Sequence, residues 1–284
     1  MNNINQQIKN LPVSFAGKLI YRLLPYRRKT IGSNIDQVYG HQICSKSKQH
    51  LIKAYYSHLA KSVKEAIQLR FMSQEQLKQS VEVKGHQYLL DIVTQKKGVL
   101  ILTGHFGNWE FAPIGGILNF HQFKGQFHFI RKSIGFKKLE QILFSRYYKA
   151  GLNVIPMKNS LNQVCDALDK NHAVVFVMDQ HAILGNRDGI AVEFFGKKAG
   201  TYRSLASLSC YTGVPVVPAA SYRLADGKHV LEFHEPIHWQ DHPSRQEAIY
   251  QNTLAYNKAL EKLVLAHPEQ WHWMHKRWKL RNID

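Results

Sequence analysis

The first 75 residues carry hydrophobic positions at helical spacing. In the longest such stretch, 47–72, apolar side chains recur every four residues: Leu51, Tyr55, Leu59, Val63, Ile67 and Phe71. This period predicts one long amphipathic helix. Ser73, followed three residues later by Gln76, has the spacing of a capping box and predicts the start of a second, short helix.

The stretch 11–24 combines apolar and basic positions and is followed by a basic run at 27–29. On a helix its apolar side chains can share one side and its cations the other: Phe15, Leu19, Ile20, Leu23 and Leu24 against Lys18 and Arg22. This pattern is typical of a helix that lies in the headgroup layer of a membrane. The alternative is an ordinary surface helix docked on the domain.

Beyond residue 75 short apolar runs alternate with helical segments. The runs 98–103 and 173–178 are apolar almost throughout, which predicts strands buried on both faces. Further strands are predicted at 80–84, 127–131, 153–156, 214–219 and 230–233, and helices at 86–94, 134–150, 161–169, 201–212 and 245–266. The alternation predicts a single α/β domain over 76–284, with a mainly parallel sheet flanked by helices, behind an N-terminal helical segment, 1–75.

The net positive charge indicates that the partner is anionic. The 284 residues include 38 Lys and Arg against 20 Asp and Glu, a net charge of +18. This surplus attracts a phosphate backbone, an anionic lipid surface or an acidic protein, and charge alone does not choose among them. No apolar run reaches the roughly 18–20 residues that span a bilayer. We therefore expect the chain to lie on a membrane rather than to cross it.

The composition does not indicate a disordered protein, a repeat protein, or a protein held together by metal ions or disulfides. Hydrophobic residues make up 44% of the chain, and no low-complexity tract or repeat is visible. Cys44, Cys165 and Cys210 lie far apart, so neither a zinc site nor a disulfide framework is expected.

The strongest candidate chemistry follows the buried strand at 98–103, in the motif Thr103-Gly-His-Phe-Gly-Asn-Trp-Glu110. Residues five apart on a continuous helix point away from each other. If His105 lies in a strand-to-helix turn, Glu110 in the first helical turn can reach back to it. A carboxylate on one imidazole nitrogen makes the other a better base, and nearby helix N-terminal amides can stabilise an oxyanion. We therefore predict His105 and Glu110 as a catalytic pair.

Other catalytic motifs are missing from the sequence. There is no G-x-S-x-G elbow, P-loop, G-x-G-x-x-G or H-E-x-x-H pattern. A His–acid pair without a Ser or Cys nucleophile beside it suits direct transfer, in which the acceptor hydroxyl itself attacks an activated acyl group.

These residues resemble those of the H-x4-D/E acyltransferases, and more particularly of the bacterial lipid A biosynthesis acyltransferases. Several blocks agree in order from about residue 20 to the end: Leu24-Pro25 with Arg27-Arg28 and Asn34-Ile35, then Phe129-Ile-Arg131, Met178-Asp179-Gln180, Val192-Glu-Phe-Phe195-Gly196, Ala199-Gly-Thr201, and Pro268-Glu-Gln-Trp-His-Trp273-Met-His275-Lys-Arg277-Trp278-Lys279. The resemblance implies a glycerol-phosphate acyltransferase-like fold.

The same resemblance implies roles for individual residues. His105 is the general base and Glu110 its partner. Arg131 contacts a phosphate or the acceptor headgroup, with a surface cation as the alternative. Asp179 and Gln180 help shape the site, although Asp179 can instead cap a turn. Asn108, inside the His105 motif, is a candidate substrate-binding residue.

The implied reaction moves a fatty acyl chain from an acyl-carrier-protein thioester to a hydroxyl of a lipid A precursor. It needs no cofactor or metal, and coenzyme A thioesters are an alternative donor. Expected partners are the acidic carrier protein and anionic membrane lipids at the cytoplasmic face of the bacterial inner membrane. Phe194, Phe195 and Gly196 are expected to form a structural turn.

Three alternatives stay open. The acceptor can be another glycolipid or a lysophospholipid, the chain can be a nucleic-acid-binding protein, or it can be a non-catalytic membrane protein that keeps the fold. The Trp and His residues of 268–279 predict either an aromatic belt at the lipid interface or tryptophans in the core with cations facing solvent.

Overall fold

The computed structural model describes residues 2–24, 26–120, 123–132, 137–185 and 188–279. Its helices are α1 Asn2–Lys9, α2 Phe15–Leu23, α3 Arg28–Tyr39, α4 Ser45–Gln68, α5 Gln74–Gln79, α6 Gln87–Thr94, α7 Ala112–Ile117, α8 Lys137–Ala150, α9 Leu161–Asp169, α10 Ser204–Thr212 and α11 Arg245–Ala266. Its strands are β1 Val81–Lys84, β2 Val99–Thr103, β3 Phe127–Arg131, β4 Leu152–Pro156, β5 Ala173–Val177, β6 Gly189–Phe194, β7 Lys197–Tyr202, β8 Val216–Arg223 and β9 His229–Phe233. Pro25 and the first residues of the predicted helix 134–150 lie outside the described residues.

Seven strands form the main sheet in the order β1-β9-β8-β2-β5-β3-β4. All neighbouring pairs are parallel except β8 with β9, so the predicted mainly parallel α/β fold is confirmed. Strand β2 is apolar throughout because both faces are covered. Leu100 and Leu102 belong to one core, and Val99 and Ile101 to the core on the opposite face.

The predicted long helix is present as α4, but only the first part of its apolar stripe is buried. Leu51 and Tyr55 are buried, whereas Val63, Ile67 and Phe71 are exposed, Phe71 by 83%. A step of four residues advances about 400° around a helix, so each apolar residue lies about 40° further round than the last. Over the four steps from Leu51 to Ile67 the stripe winds from the core side to the outer side, and the helix ends at Gln68, before the predicted end at residue 72.

The N-terminal helices contribute to the core of the α/β domain. Ile31 and Ile35 of α3 are fully buried in the same cluster as Trp271 and Trp273 near the C-terminus. The division at residue 75 stays a prediction. The predicted capping box is confirmed, because the Ser73 and Gln76 side chains each accept a hydrogen bond from the other's backbone amide.

Strands β6 and β7 form an antiparallel hairpin that the hydrophobic pattern did not predict. Phe195 and Gly196 turn the chain at its tip with φ of 51° and 71°, so the turn predicted there is confirmed. The predicted helix 201–212 is wrong at its start, since Thr201 and Tyr202 belong to β7 and α10 begins at Ser204. β7 reads Lys-Lys-Ala-Gly-Thr-Tyr, which contains no apolar run. Within the described residues, no helix is both long and apolar enough to span a bilayer.

Candidate active site

His105 and Asp179 meet because they follow adjacent parallel strands. In the register of β2 and β5, Thr103 pairs with Val177, and each candidate residue lies two positions further on. The Met178 amide donates to the Thr103 carbonyl at 2.8 Å, which holds the two chain segments together beyond the strand ends. Ligand sites in parallel sheets lie at this carboxyl edge.

Asp179 is bonded to both the ring and the backbone of His105. The His105 ring Nδ1 lies 2.9 Å from Asp179 Oδ1, and the His105 amide donates to Oδ2 at 2.8 Å. The Trp271 indole N–H also donates to Oδ2, at 3.0 Å. A Cβ on Gly104 would lie 3.0 Å from the Asp179 carboxylate, so this close approach requires glycine.

The electrostatics of the pair suit a general base. Burial alone would lower the pKa of His105, but the charge and hydrogen bond of Asp179 outweigh it and raise that pKa. Burial acts on Asp179 in the opposite sense, yet His105 and the surrounding donors hold the Asp179 pKa well below its usual range. Asp179 is therefore ionised at neutral pH and can only accept, so His105 Nδ1 carries the proton and Nε2 is left with a lone pair.

Gln180 lies beside that second nitrogen. Its Nε2 is 3.4 Å from His105 Nε2, a long contact that leaves the lone pair open to a better donor. The rings of Trp109, His272 and His275 surround the imidazole with centroid distances of 4.9–6.1 Å. Burial first, and then the neighbouring imidazoles, lower the pKa of His272 to about 4, so it is neutral at pH 7.

Glu110 does not make the predicted contact with His105. Its Oε1 accepts from Arg131 at 2.6 Å and its Oε2 from the Tyr147 hydroxyl at 2.6 Å. Glu110 precedes α7 and turns toward β3 and α8, where two strong donors are available, whereas Asp179 already occupies His105 Nδ1. The expected hydrogen bond between Glu110 and His105 is therefore wrong. A catalytic role for Glu110 stays a prediction, since its charge helps to raise the pKa of His105.

Arg131 is already held within the protein. Besides its ion pair with Glu110, its guanidinium lies over the rings of Phe144 and Tyr147, 5.1 and 5.2 Å from their centroids. It is thus not a free surface cation, and its predicted contact with a headgroup stays a prediction.

Asn108 faces away from the site into a buried polar network. Its amide donates to Glu65 Oε2 at 3.0 Å, and its Oδ1 accepts from the Phe111 amide. Glu65 also binds both the Nε and a terminal N–H of Arg223. The network joins α4 to β8 and to the turn that carries His105. Asn108 therefore positions this turn, and its predicted contact with substrate has no support in the arrangement.

His58 completes this network. One ring nitrogen lies 3.2 Å from the Gly107 carbonyl, and the other lies 3.1 Å from an Arg223 N–H. Gly107 has φ of 55°, and a Cβ there would lie 2.4 Å from the Ser221 carbonyl oxygen, so the turn depends on glycine. Nothing in the spacing of the sequence indicated that Glu65, Arg223 and His58 would meet beneath the His105 motif.

A cavity of about 1840 Å³ opens at this edge of the sheet. His105, Gln180, Glu110 and Arg131 line it, together with apolar side chains from β2, β3 and α7 that include Ile101, Phe129, Ile114 and Ile117. Sites for one small ligand usually occupy about 300–1,000 Å³. The volume is therefore enough for a long apolar chain beside a second substrate.

The C-terminal tryptophans belong mainly to the core. Trp271 and Trp273 are buried, which supports the core interpretation. The expectation that the cations there face solvent is wrong for Arg277, which is fully buried and donates to the Gly200 carbonyl and, at 2.8 Å, to the Thr201 hydroxyl. Lys276 and Lys279 are exposed as expected.

The site thus combines a carboxylate-oriented histidine with a large, mostly apolar cavity. The chain belongs to the bacterial lipid A biosynthesis acyltransferase family, whose model matches residues 7–280. The resemblance seen in the sequence is confirmed. The protein is therefore an acyltransferase.

Similar proteins fall in related groups. The chain is 23% identical to a lipid A biosynthesis lauroyltransferase of Escherichia coli, over 93% of this chain and 83% of the relative. It is 21% identical to a phosphatidylinositol mannoside acyltransferase of Mycolicibacterium smegmatis, over 80% and 72%. A crystal structure of the 1-acyl-sn-glycerophosphate acyltransferase of Thermotoga maritima aligns with a TM-score of 0.37 and 17% identity, covering 93% of this chain and 99% of that one.

Proposed function

We propose that the protein transfers a fatty acyl chain from an acyl-carrier-protein thioester to a hydroxyl of a lipid A precursor at the cytoplasmic face of the inner membrane, with His105 as general base. The contact between His105 and Asp179 carries this proposal. It fixes the tautomer that leaves Nε2 free to take a proton, at a residue that lines the cavity.

The proposed reaction needs no covalent enzyme intermediate. His105 Nε2 takes the proton of the acceptor hydroxyl as its oxygen attacks the thioester carbonyl. The new C–O bond gives a tetrahedral oxyanion, which collapses as the C–S bond breaks. The proton on Nε2 passes to the departing thiolate, so His105 ends the cycle neutral. General-base catalysis of this kind contributes about 10²–10⁴-fold.

Gln180 is the proposed oxyanion donor. Its amide group lies beside His105 Nε2, close to where the attacked carbonyl must sit. The loss of one such donor costs about 10²–10³-fold in kcat. This role differs from the expectation that amides of a helix N-terminus serve the oxyanion, because α7 begins only at Ala112, seven residues after His105.

The apolar part of the cavity suits the acyl chain. Ile101, Ile114 and Phe129 belong to the core between the sheet and helices α6–α8, and they also line the cavity. An aliphatic chain there would contact side chains in place of water, which contributes about 25 cal/mol for each Å² of apolar surface removed from water.

Peripheral membrane binding is part of the proposal. Phe15, Leu19 and Leu23 of α2 are exposed apolar side chains one helical turn apart, and Lys18 and Arg22 lie between them. Apolar contact with the acyl boundary combined with basic residues near anionic headgroups is the usual basis of interfacial binding. The net charge of +18 also suits an acidic carrier protein as donor.

A different acceptor is the second candidate. The similarity to a phosphatidylinositol mannoside acyltransferase favours another glycolipid as the alternative to a lipid A precursor. Membership of the acyltransferase family gives no support to the nucleic-acid-binding alternative.

The test uses purified protein, acyl-carrier-protein thioester and an underacylated lipid A precursor, with mass spectrometry of the products. We expect a product heavier by one acyl chain, and none from His105→Ala. Parallel reactions with a mannosylated phosphoinositide and a lysophospholipid identify the acceptor class. Equal product from wild type and His105→Ala would overturn the assignment of the base. The matched control is His234→Ala, a change on the loop after β9, outside the cavity lining.

A further inference from the structure

Two of the arginines that line the cavity, Arg70 and Arg146, form no ion pair with any residue that the structure describes. Arg70 follows the end of α4, Arg146 lies on α8, and both line the cavity that contains His105. No carboxylate of the described residues forms an ion pair with either guanidinium. Arg131, by contrast, is paired with Glu110 in the same cavity. The cavity therefore holds cationic charge that none of the described carboxylates neutralises through an ion pair.

The two guanidiniums are close enough to act on each other. Burial first, and then the charge of Arg70, lower the pKa of Arg146. Like charges held near one another are unfavourable unless an anion lies between them. Arg131 and Arg223, by contrast, each have a carboxylate partner, Glu110 and Glu65 respectively. Arg70 and Arg146 repel each other and have no carboxylate partner among the described residues. Their position at the cavity therefore indicates a binding site for an anionic group of a ligand.

The position of the pair defines the shape of that ligand. Arg70 is exposed and Arg146 half-buried, whereas their sequence neighbours Leu69 and Tyr147 are buried and line the same cavity. Phe144, two residues before Arg146, adds an apolar wall. The cations therefore lie where the apolar part of the cavity meets solvent. A ligand that fills this region has an anionic group next to an apolar chain.

We propose that Arg70 and Arg146 together bind a phosphate group of a substrate, either on the headgroup of the acceptor or on the pantetheine arm of the donor. Guanidinium groups bind phosphate oxygens with two parallel hydrogen bonds, and two of them can share one phosphate. This inference rests on the proposed function for its substrates but not for the binding of an anion. It also supplies a headgroup contact where Arg131 is occupied by Glu110.

The first experiment measures binding without catalysis. The probes are dodecyl phosphate and the uncharged dodecyl glucoside, both below their micelle concentrations, followed by fluorescence of Trp109, which lines the cavity. We expect wild type to bind the phosphate at least about tenfold more tightly than the glucoside, since hydrogen bonds to a charged group contribute about 1.5–3 kcal/mol, and tenfold in Kd corresponds to about 1.4 kcal/mol.

The variants Arg70→Gln and Arg146→Gln should each lose about tenfold in affinity for dodecyl phosphate and keep their affinity for the glucoside. Lys149→Gln removes an exposed cation from the same helix as Arg146, outside the cavity lining, and should change neither. Because the variants remove repulsion, their melting temperatures should not fall below that of wild type. Equal wild-type affinity for both probes, or an equal loss in Lys149→Gln, would overturn the site.

The second experiment identifies the source of the phosphate. Acyl transfer is measured with a phosphorylated and a dephosphorylated acceptor, and with acyl-phosphopantetheine and acyl-pantetheine donors. In Arg146→Gln, an increase in KM of about tenfold for the phosphorylated acceptor alone would identify the acceptor headgroup as the source of the bound phosphate. The same increase for the phosphorylated donor alone would identify the pantetheine arm. An unchanged KM in all four pairs overturns the substrate role. Absence of transfer by wild type refutes the proposed function, and the binding result then stands separately.

Discussion

The Asp179 carboxylate bonds to Nδ1 of His105 at 2.9 Å, and the same carboxylate accepts the His105 backbone amide. It therefore fixes the ring and the chain that carries it at once. Glu110, five residues after His105, is instead bonded to Arg131 and Tyr147. The two carboxylates thus act on His105 in different ways, Asp179 by direct contact and Glu110 through its charge, which helps to raise the His105 pKa.

Asp179→Asn tests the direct contact. The amide removes the negative charge and can donate toward Nδ1, which favours the tautomer that protonates Nε2. We expect kcat to fall by about 10²–10⁴-fold, as for loss of an oriented general base, with a smaller change in KM. Steady-state acyl transfer at pH 8 measures it, and a melting temperature near that of wild type verifies folding. Activity within a few-fold of wild type would rule out Asp179 as the residue that orients His105.

Glu110→Gln tests the indirect effect through pH. The base must be neutral to act, so kcat/KM falls as pH drops through the raised pKa of His105. Glu110 contributes to that increase, whereas Arg131 opposes it. Removal of the Glu110 charge lowers the His105 pKa, so the acid limb should move to lower pH. A pH–rate profile between pH 5 and 9 measures the shift. An acid limb that stays in place, or moves upward, would contradict this reading of Glu110.

The sequence identified residues of the candidate site better than it identified their contacts. His105 was singled out because it follows the predicted strand 98–103, and Asp179 because of the resemblance to the acyltransferase family, at a position just after the predicted strand 173–178. The sequence alone did not show that β2 and β5 are neighbours, because β3 and β4 come between them along the chain. Once that strand order is known, His105 and Asp179 are seen to lie side by side, because each is two residues beyond the paired strand ends Thr103 and Val177.

Glu110 was chosen as the partner because it is near in sequence, and nearness in sequence does not fix direction. Its actual partners, Arg131 and Tyr147, lie on β3 and α8. The hydrophobic pattern predicted this strand and this helix but not where they lie in space relative to Glu110. The network of Glu65 and Arg223 joins residues 158 positions apart, and local spacing carries no signal for such contacts. Local patterns thus predicted most elements, whereas the side-chain partners depended on tertiary packing.

Arg223→Met tests whether the buried network stabilises the fold beneath the His105 turn. The change leaves Glu65 buried without its main counter-charge, and loss of one partner of a buried ion pair costs about 3–5 kcal/mol. Urea unfolding followed by circular dichroism measures the free energy of unfolding. Lys228→Met, an exposed change on the turn after β8, should stay within about 0.5 kcal/mol of wild type. Equal effects of the two changes would be evidence against a structural role for the network.

His58 makes the stability of the protein depend on pH. Burial first, and then the charge of Arg223, lower the pKa of His58 to about 3 in the folded state, against 6.5 for a free side chain. Between these values the unfolded chain binds a proton that the folded chain does not, so stability is lost as pH falls from 6.5 toward 3. The slope for one proton is about 1.4 kcal/mol per pH unit.

The measurement is the free energy of unfolding from urea titrations between pH 7 and 4.5, for wild type and His58→Gln. The glutamine can still donate to the Gly107 carbonyl but takes up no proton. As pH falls, the free energy of unfolding should decrease less steeply for the variant than for wild type. The difference in slope should correspond to about one proton, or about 1.4 kcal/mol per pH unit. Parallel curves for the two proteins would show that His58 is not the group that titrates.

Membrane binding is tested on the exposed face of α2. Leu19 is 45% exposed and Leu23 lies one turn further on the same face, and burial of a leucine side chain contributes about 1.5–3 kcal/mol. Leu19→Ser with Leu23→Ser should therefore reduce the fraction that sediments with vesicles of anionic phospholipid by at least about tenfold in partition coefficient. Leu265→Ser, at a leucine of 47% exposure on α11, is the matched control and should bind as wild type does. If the control loses as much as the double variant, the loss is not specific to α2 and the proposed membrane face is wrong. Vesicles of uncharged lipid separate the two contributions, because there the apolar face acts without help from the basic residues.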